Sequence, residues 1–153
     1  MSQKKIYIAG PAVFHADHGK AYYDHVRELT AANNIKPLIP LDNNVSGALN
    51  IRNANIEQIK QCDAIIADLS PFRSHEPDCG TAFEVGYAAA LNKIILTFSS
   101  DQRTLVERYG GVKDSLGMEV EDFNLPFNLM LADGTAIFGS FDEALSYFVD
   151  KHL

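Results

Sequence analysis

The sequence has few cysteines, no run of lysine or arginine, and no long apolar segment. Its two cysteines, Cys62 and Cys79, occur without a signal-like N-terminus, so we expect reduced thiols in a cytoplasmic protein. Because phosphate binding needs clustered cations and the net charge is −7 at pH 7, we expect no nucleic-acid partner. No segment reaches the length of a membrane span, and we expect no membrane partner either.

Familiar ligand-binding motifs are also scarce. A dinucleotide fingerprint needs three glycines after the first strand, whereas Gly10 stands alone there. The sequence contains no phosphate-binding loop with its lysine, and His15 and His18 have no further metal ligands near them in the sequence. We therefore predict neither a cofactor nor a metal.

What the sequence does contain is a regular alternation of strand and helix patterns. Short apolar runs typical of buried strands occupy residues 6–9, 37–40, 64–67, 94–98 and 136–138. Helical patterns occupy residues 21–32, 51–61, 77–93 and 141–150. This alternation predicts one α/β domain over residues 1–153, a flavodoxin-like, doubly wound sheet of five parallel strands in the order 2-1-3-4-5. Ligands of such sheets bind beyond the carboxyl ends of the strands.

The third helical pattern, residues 77–93, is apolar around its whole circumference, which predicts a buried helix. Glu84 lies in its middle, and a glutamate is rarely buried without a partner. Glu84 is therefore either a structural carboxylate with a buried partner or a functional carboxylate of a site. A carboxylate that accepts a hydrogen bond from a phenol can act as a nucleophile on an anomeric carbon, as in retaining glycosyl transfer.

Three further polar residues are predicted to gather near Glu84 at this sheet edge. Tyr7 lies in the first strand, Asp68 ends the most strongly apolar strand, and Asp78 begins the helix that carries Glu84. Each has an ordinary structural explanation as well: a strand tyrosine with its hydroxyl at the rim, a turn-forming aspartate, and a helix N-cap. Together they favour a site built around Glu84.

Five sequence blocks, in order along nearly the whole chain, resemble the nucleoside 2-deoxyribosyltransferases. The blocks are KIYIAGPAVF (5–14), LIPLDN (38–43), DAIIADLSPFR (63–73), EPDCGTAFEVGYA (76–88) and LPFNLML (125–131). The resemblance implies the same flavodoxin-like fold. It also implies a pentosyltransferase that exchanges the bases of 2′-deoxyribonucleosides through a covalent deoxyribosyl–glutamate intermediate.

Matched position by position, the resemblance assigns roles to individual residues. Glu84 would be the nucleophile, Tyr7 would orient it, and Asp78 would hold the 5′-hydroxyl of the sugar. Asn128, with Met130 beside it, would reach that hydroxyl from a neighbouring subunit, which implies a homo-oligomer, either a dimer or a hexamer. Further substrate contacts are expected at two positions of the first block: Gly10 and Phe14.

Asn55 departs from the family pattern. Some members carry an aspartate there that protonates or holds the base, and an asparagine can only form hydrogen bonds with it. We therefore assign the proton-handling role to Asp68 and expect a further base contact at Asp42, beside the base contact of Asn55 itself.

Two alternatives to the transferase remain open. The first is an N-glycosidase, and a related class of such enzymes hydrolyses 2′-deoxynucleoside 5′-monophosphates with the same nucleophile. That class has a serine-containing phosphate site where this chain has Asp78, whose carboxylate would repel a phosphate. The second is a noncatalytic nucleoside-binding protein with Glu84 as a paired core carboxylate. The expected ligands are 2′-deoxynucleosides and free purine or pyrimidine bases.

Overall fold

The computed structural model describes residues 3–153 and contains one sheet of five parallel strands in the order β2-β1-β3-β4-β5. The strands are β1 (Lys4–Ala9), β2 (Ile35–Leu38), β3 (Ala64–Asp68), β4 (Ile94–Phe98) and β5 (Ile137–Phe138). Each strand pairs in parallel with its neighbours in that order. The predicted class and strand order are both confirmed.

Helices cover both faces of the sheet, as a doubly wound fold requires. They are α1 (Lys20–Ala32), α2 (Ala48–Gln61), α3 (Cys79–Ala90), α4 (Leu105–Tyr109) and α5 (Phe141–His152). Short 3₁₀ turns occupy Pro11–Phe14, Pro40–Asn43 and Leu129–Leu131. Because strand side chains alternate in direction, Ile6 and Ile8 pack in the core under α1 and α5, while Tyr7 and Ala9 pack in the core under α2 and α3. None of the helices in residues 3–153 has the length and apolar character needed to cross a membrane.

The second strand and the second helix have different bounds from those predicted. β2 covers Ile35–Leu38 instead of residues 37–40, because Pro40 opens a 3₁₀ turn and the strand pairs with β1 from Ile35 onward. α2 begins at Ala48, three residues before the predicted start at Ile51. Both errors concern the ends of elements and leave the topology unchanged.

Helix α3 is only half buried in this chain, so the prediction of a fully buried helix is wrong. Thr81, Val85 and Ala88 are buried against the sheet, whereas Phe83 is 47% exposed. The exposed positions form a stripe at helical spacing that we call the outer face of α3: Cys79, Phe83, Gly86 and Ala90. The sequence pattern shows only that this surface is apolar, and most of it is left uncovered by the described residues, although Arg52 of α2 lies over the ring of Phe83.

The 110–131 segment connects α4 to the last 3₁₀ turn and carries several exposed apolar side chains. These are Val112, Leu116, Met118, Phe123, Leu129 and Met130. Its start is fixed by the buried side chain of Arg108, which donates hydrogen bonds to the backbone carbonyls of His75, Arg103 and Pro126. One arginine therefore holds together three loops near the carboxyl edge of the sheet.

Candidate active site

A cavity of about 620 Å³ opens beside the end of β1, between the turn that follows this strand and helices α2 and α3. Its volume lies in the range of small-molecule sites, roughly 300–1,000 Å³. Five of the predicted site residues line it: Gly10, Phe14, Asn55, Asp78 and Glu84. The cavity therefore lies where a sheet of this order is expected to bind its ligand.

Tyr7 and Glu84 form the innermost polar pair of the site. Tyr7 lies in β1 with no exposed surface, and its hydroxyl donates a hydrogen bond to Oε2 of Glu84. Glu84 lies in the second turn of α3 on the side that faces the cavity. The strand fixes the phenol, the helix fixes the carboxylate, and the second carboxylate oxygen, Oε1, has no hydrogen-bond partner among the described residues.

The pKa of Glu84 is raised from 4.5 to about 7, chiefly because burial disfavours the charged carboxylate. The hydrogen bond from Tyr7 lowers this pKa, and the negative charge of Asp78 raises it. Burial and the neighbouring Glu84 raise the pKa of Tyr7 far above its ordinary value. Tyr7 therefore stays a neutral phenol that donates to the carboxylate, and Glu84 titrates close to neutral pH.

Asp78 is the N-cap of α3 and also part of the cavity wall. Its Oδ2 accepts hydrogen bonds of 2.9 Å from both the backbone N–H and the hydroxyl of Thr81. The capping role predicted for this residue is present, and it occupies only one carboxylate oxygen. Oδ1 can therefore accept a hydrogen bond from a ligand.

Phe14 lies at the rim of the cavity, 58% exposed, in the 3₁₀ turn after β1. Its ring stacks on Phe72 at 5.5 Å between centroids, and the guanidinium of Arg73 lies over both rings. Gly10 precedes this turn with a φ of 156°, and a Cβ at that position would lie only 2.9 Å from the Cβ of Asp68. The turn can therefore pass this close to β3 only because residue 10 has no side chain.

Helix α2 supplies the opposite wall, and this wall contains a residue that the sequence analysis missed. Arg52 lies one turn before Asn55, and both line the cavity. The Cζ atom of Arg52 is 5.4 Å from the ring centroid of Phe83 in α3, which also lines the cavity. Counting back one turn from Asn55 would have identified Arg52. Tyr23 of α1 also lines the cavity, and no pattern in the sequence pointed to it.

The two carboxylates predicted to contact the base do not line this cavity. Asp42 forms an ion pair with Arg27, with 2.6 Å between Nη2 and Oδ1. Asp68 accepts hydrogen bonds from the backbone N–H and the hydroxyl of Ser70 through Oδ1. Asp68 thus performs the turn-forming role that the sequence analysis weighed against catalysis.

Asn128 and Met130 also lie away from the cavity of their own chain. Asn128 caps the last 3₁₀ turn, where its Oδ1 accepts from the backbone N–H of Met130 at 2.9 Å and its Nδ2 donates to Glu121 at 2.7 Å. Met130 is 81% exposed. Within residues 3–153, no group of three or more histidine, cysteine or acidic side chains is arranged to hold a metal ion.

Comparison with known proteins identifies relatives over almost the entire length. The family model described as nucleoside 2-deoxyribosyltransferase matches residues 6–130. The solved 2-desoxiribosyltransferase from Leishmania mexicana is 64% identical, with a TM-score of 0.95, and the match covers 98% of this chain and 99% of that one.

Two further matches are more distant, one in structure and one in sequence. A conserved protein from Enterococcus faecalis V583 is 21% identical, with a TM-score of 0.67 over 99% of this chain and 100% of its own. An uncharacterized protein of Schizosaccharomyces pombe is 28% identical over 113 residues, which are 67% of this chain and 53% of that protein. The chain thus spans about half the length of this curated relative.

Proposed function

The chain belongs to the nucleoside 2-deoxyribosyltransferase family, and we propose that it exchanges the bases of 2′-deoxyribonucleosides through a covalent bond between deoxyribose and Glu84. The observation that carries this proposal is the hydrogen bond from Tyr7 to Glu84 on the wall of a nucleoside-sized cavity. A carboxylate held by one oxygen keeps the other free to attack. We further propose that residues 1–153 form one domain that performs this reaction.

The reaction proceeds in two displacements at C1′ of the sugar. In the first, Oε1 of Glu84 forms a bond to C1′, the bond from C1′ to the base nitrogen breaks, and its electron pair leaves with the base. In the second, a nitrogen of the incoming base attacks C1′ and gives up its proton to water, and the electron pair of the ester bond returns to Glu84. Because each displacement inverts C1′, the configuration is retained overall.

Asp78 fixes the other end of the sugar in this proposal. Its Oδ1 is available to accept the 5′-hydroxyl, while Oδ2 is engaged by Thr81. A 5′-phosphate at the same place would meet the carboxylate of Asp78 and be repelled by its negative charge. The free nucleoside is therefore the expected substrate, and base exchange of this kind serves nucleotide salvage.

A homo-oligomer with shared sites completes the proposal. The outer face of α3 is apolar and largely exposed among the described residues, and the 110–131 segment carries further exposed apolar side chains. Monomeric proteins seldom expose contiguous apolar surface of this kind. A neighbouring copy on these surfaces would bring its Asn128 toward Asp78. Both cysteines are free thiols, in keeping with a cytoplasmic location.

Incubation with deoxyinosine and free adenine tests the proposed exchange. We expect deoxyadenosine and hypoxanthine as products, a deoxyribosyl adduct on the Glu84 peptide by mass spectrometry, and loss of both in Glu84→Ala. Glu57→Ala, which removes an exposed glutamate of α2 outside the cavity, is the matched control. Release of free deoxyribose would indicate hydrolysis instead, and absence of turnover with every donor would indicate a binding protein.

Light scattering after size exclusion tests the proposed assembly. We expect a dimer or a larger oligomer, and we expect Ala90→Arg on the outer face of α3 to give monomers with much weaker exchange. Ala31→Arg, at an exposed alanine of α1, controls for the added charge. A wild-type monomer with full activity would contradict the shared site.

A further inference from the structure

The charged side chains that line the cavity come from two helices with opposite signs. Helix α3 contributes the carboxylates of Asp78 and Glu84, and helix α2 contributes the guanidinium of Arg52. Among residues 3–153, Arg52 is the one lysine or arginine on the cavity wall. The two walls therefore offer different chemistry to the two parts of a nucleoside.

We infer that Arg52 and Asn55 bind the hydrogen-bond-acceptor edge of a 6-oxopurine and that Arg52 stabilises the negative charge on the base as it leaves. This inference rests on the proposed base exchange and names the class of base that the same cavity prefers. With the sugar held between Asp78 and Glu84 on α3, the base faces the wall formed by α2.

Arg52 is held at the cavity by its packing on Phe83. The guanidinium lies over the ring at 5.4 Å from its centroid, an arrangement in which a cation is attracted to the aromatic face. Stacking uses the flat face of the guanidinium and leaves its N–H groups free at the edge. One of them makes a long contact of 3.4 Å to Asn53, and the others have no partner among the described residues.

Asn55 adds a second donor one helical turn away. Its Oδ1 accepts a hydrogen bond of 3.2 Å from Nδ2 of Asn43, so that its own Nδ2 is the free end of the amide. An arginine has donors and no acceptor, and an asparagine whose oxygen is engaged also presents a donor. The α2 wall thus offers N–H groups to the base, and the two aspartates predicted to contact the base lie outside the cavity lining.

Hypoxanthine and guanine match this wall better than adenine does. In a 6-oxopurine, O6 and N7 are adjacent acceptors, the pair that a guanidinium binds through two N–H groups. In adenine, the 6-amino group is itself a donor and would face the N–H groups of the wall. We therefore expect the cavity to discriminate in favour of the 6-oxo group.

The same positive charge assists the first displacement without a proton donor. When Glu84 forms its ester with C1′, the negative charge of its carboxylate passes to the departing base. In a 6-oxopurine this charge is shared with O6, beside the guanidinium. Arg52 is exposed on the cavity wall, so its attraction for this charge is strongest where the bound base itself excludes water. Asparagine at position 55 is then sufficient, because the base departs as an anion and takes its proton from water.

Steady-state kinetics with paired donors tests this inference. With guanine as acceptor, we compare kcat/KM for deoxyinosine and deoxyadenosine, since in a two-step exchange this ratio is a property of the donor alone. In Arg52→Gln we expect kcat/KM for deoxyinosine to fall about tenfold to a hundredfold, the range lost with one bidentate base contact, and that for deoxyadenosine to fall about threefold or less. Arg52→Lys should recover part of the loss, and Arg103→Gln, at an exposed arginine outside the cavity, should behave as wild type.

Calorimetric titration of hypoxanthine and adenine separates this inference from the proposed function. If the inference is correct, wild type binds hypoxanthine more tightly than adenine and Arg52→Gln loses that difference, whether or not exchange occurs. Equal effects on both bases, or none, would overturn it even in an active transferase. It would also be overturned if Arg52→Gln affected only deoxyinosine 5′-monophosphate, since the guanidinium would then bind the phosphate.

Discussion

Tyr7 in β1 and Glu84 in α3 are 77 positions apart in the sequence and share one hydrogen bond in the structure. This bond joins the central part of the sheet to the helix that carries the proposed nucleophile. It has two effects on Glu84, because it fixes one carboxylate oxygen in place and lowers the pKa of the group against the effect of burial. Both effects can be measured by removing the phenol oxygen alone.

We expect Tyr7→Phe to fold normally and to lose activity in two ways. The rate constant kcat should fall by up to about a hundredfold, because without the Tyr7 hydrogen bond the carboxylate of Glu84 spends less time in the orientation that attacks C1′. The midpoint of the pH–rate profile should also move to higher pH, since the Tyr7 hydrogen bond lowers the pKa of Glu84. The measurement is kcat/KM as a function of pH. Tyr109→Phe is the matched control, because it removes a phenol–glutamate hydrogen bond, to Glu76, outside the cavity.

The wild-type protein should gain activity as the pH rises through about 7, the pKa of Glu84. The attacking form is the carboxylate, so that kcat/KM follows its ionised fraction in the free protein. Asp78→Asn should move this midpoint to lower pH, because the charge of Asp78 raises the pKa of Glu84. A profile that is flat between pH 5 and 9 would show that ionisation of Glu84 does not control the reaction.

The raised pKa of Glu84 also makes a prediction about stability. Below its ordinary pKa of 4.5 the carboxyl group is mostly protonated in both the folded and the unfolded chain, and its burial then lowers the free energy of unfolding very little. As the pH rises to about 7 and beyond, the unfolded chain holds the favourable anion, and the free energy of unfolding falls by about 3 kcal/mol. Glu84→Gln should therefore be more stable than wild type by roughly that amount at pH 8 and nearly equal to it at pH 4.5.

Urea unfolding of both proteins at the two pH values checks this expectation, with the protein concentration held fixed. A stabilisation of the same size at pH 4.5 and pH 8 would point to packing as its cause. The burial of an ionised Glu84 would then not explain the effect.

Arg108→Met should lower the free energy of unfolding by about 3–5 kcal/mol, because three backbone carbonyls lose a buried charged donor and such hydrogen bonds contribute roughly 1.5–3 kcal/mol each. The side chain of Arg108 is 1% exposed and lies 3.7 Å from Oδ2 of Asp101, besides its three bonds to backbone carbonyls. Arg103→Met removes the exposed partner of the same aspartate and should cost far less, because an exposed ion pair contributes little to stability. Similar losses in the two variants, measured by urea unfolding, would contradict the anchoring role of Arg108.

The sheet could be predicted from the sequence, whereas the directions of individual side chains could not. Strands β1, β3 and β4 are short, strongly apolar runs separated by helical patterns, and a parallel sheet is the arrangement that buries all of them. The same reasoning placed Asp68 at the correct edge. It did not show that its carboxylate is occupied by Ser70, because that depends on the turn that follows the strand.

The burial of α3 and the packing partner of Arg52 could not be predicted from the sequence either. An apolar helix pattern does not distinguish burial within the same chain from burial against another copy. For this reason α3 was predicted to be buried. Arg52 was missed for the opposite reason, since an arginine in an amphipathic helix is usually a surface residue. Only the packing on Phe83 shows that it belongs to the cavity.

The capping position of Asp78 has a geometric consequence for the proposed site. Asp78 and Glu84 are six positions apart on a single helix, so that the distance between the sugar's two contacts is set by the helical rise of about 1.5 Å per residue. No loop or hinge separates them, and α3 therefore holds the two carboxylates that contact the sugar at a fixed spacing. Deleting one residue between them would rotate Glu84 by about 100° around the helix and away from Tyr7. Insertions and deletions between Asp78 and Glu84 are therefore expected to abolish the site, whereas substitutions leave the helical register unchanged.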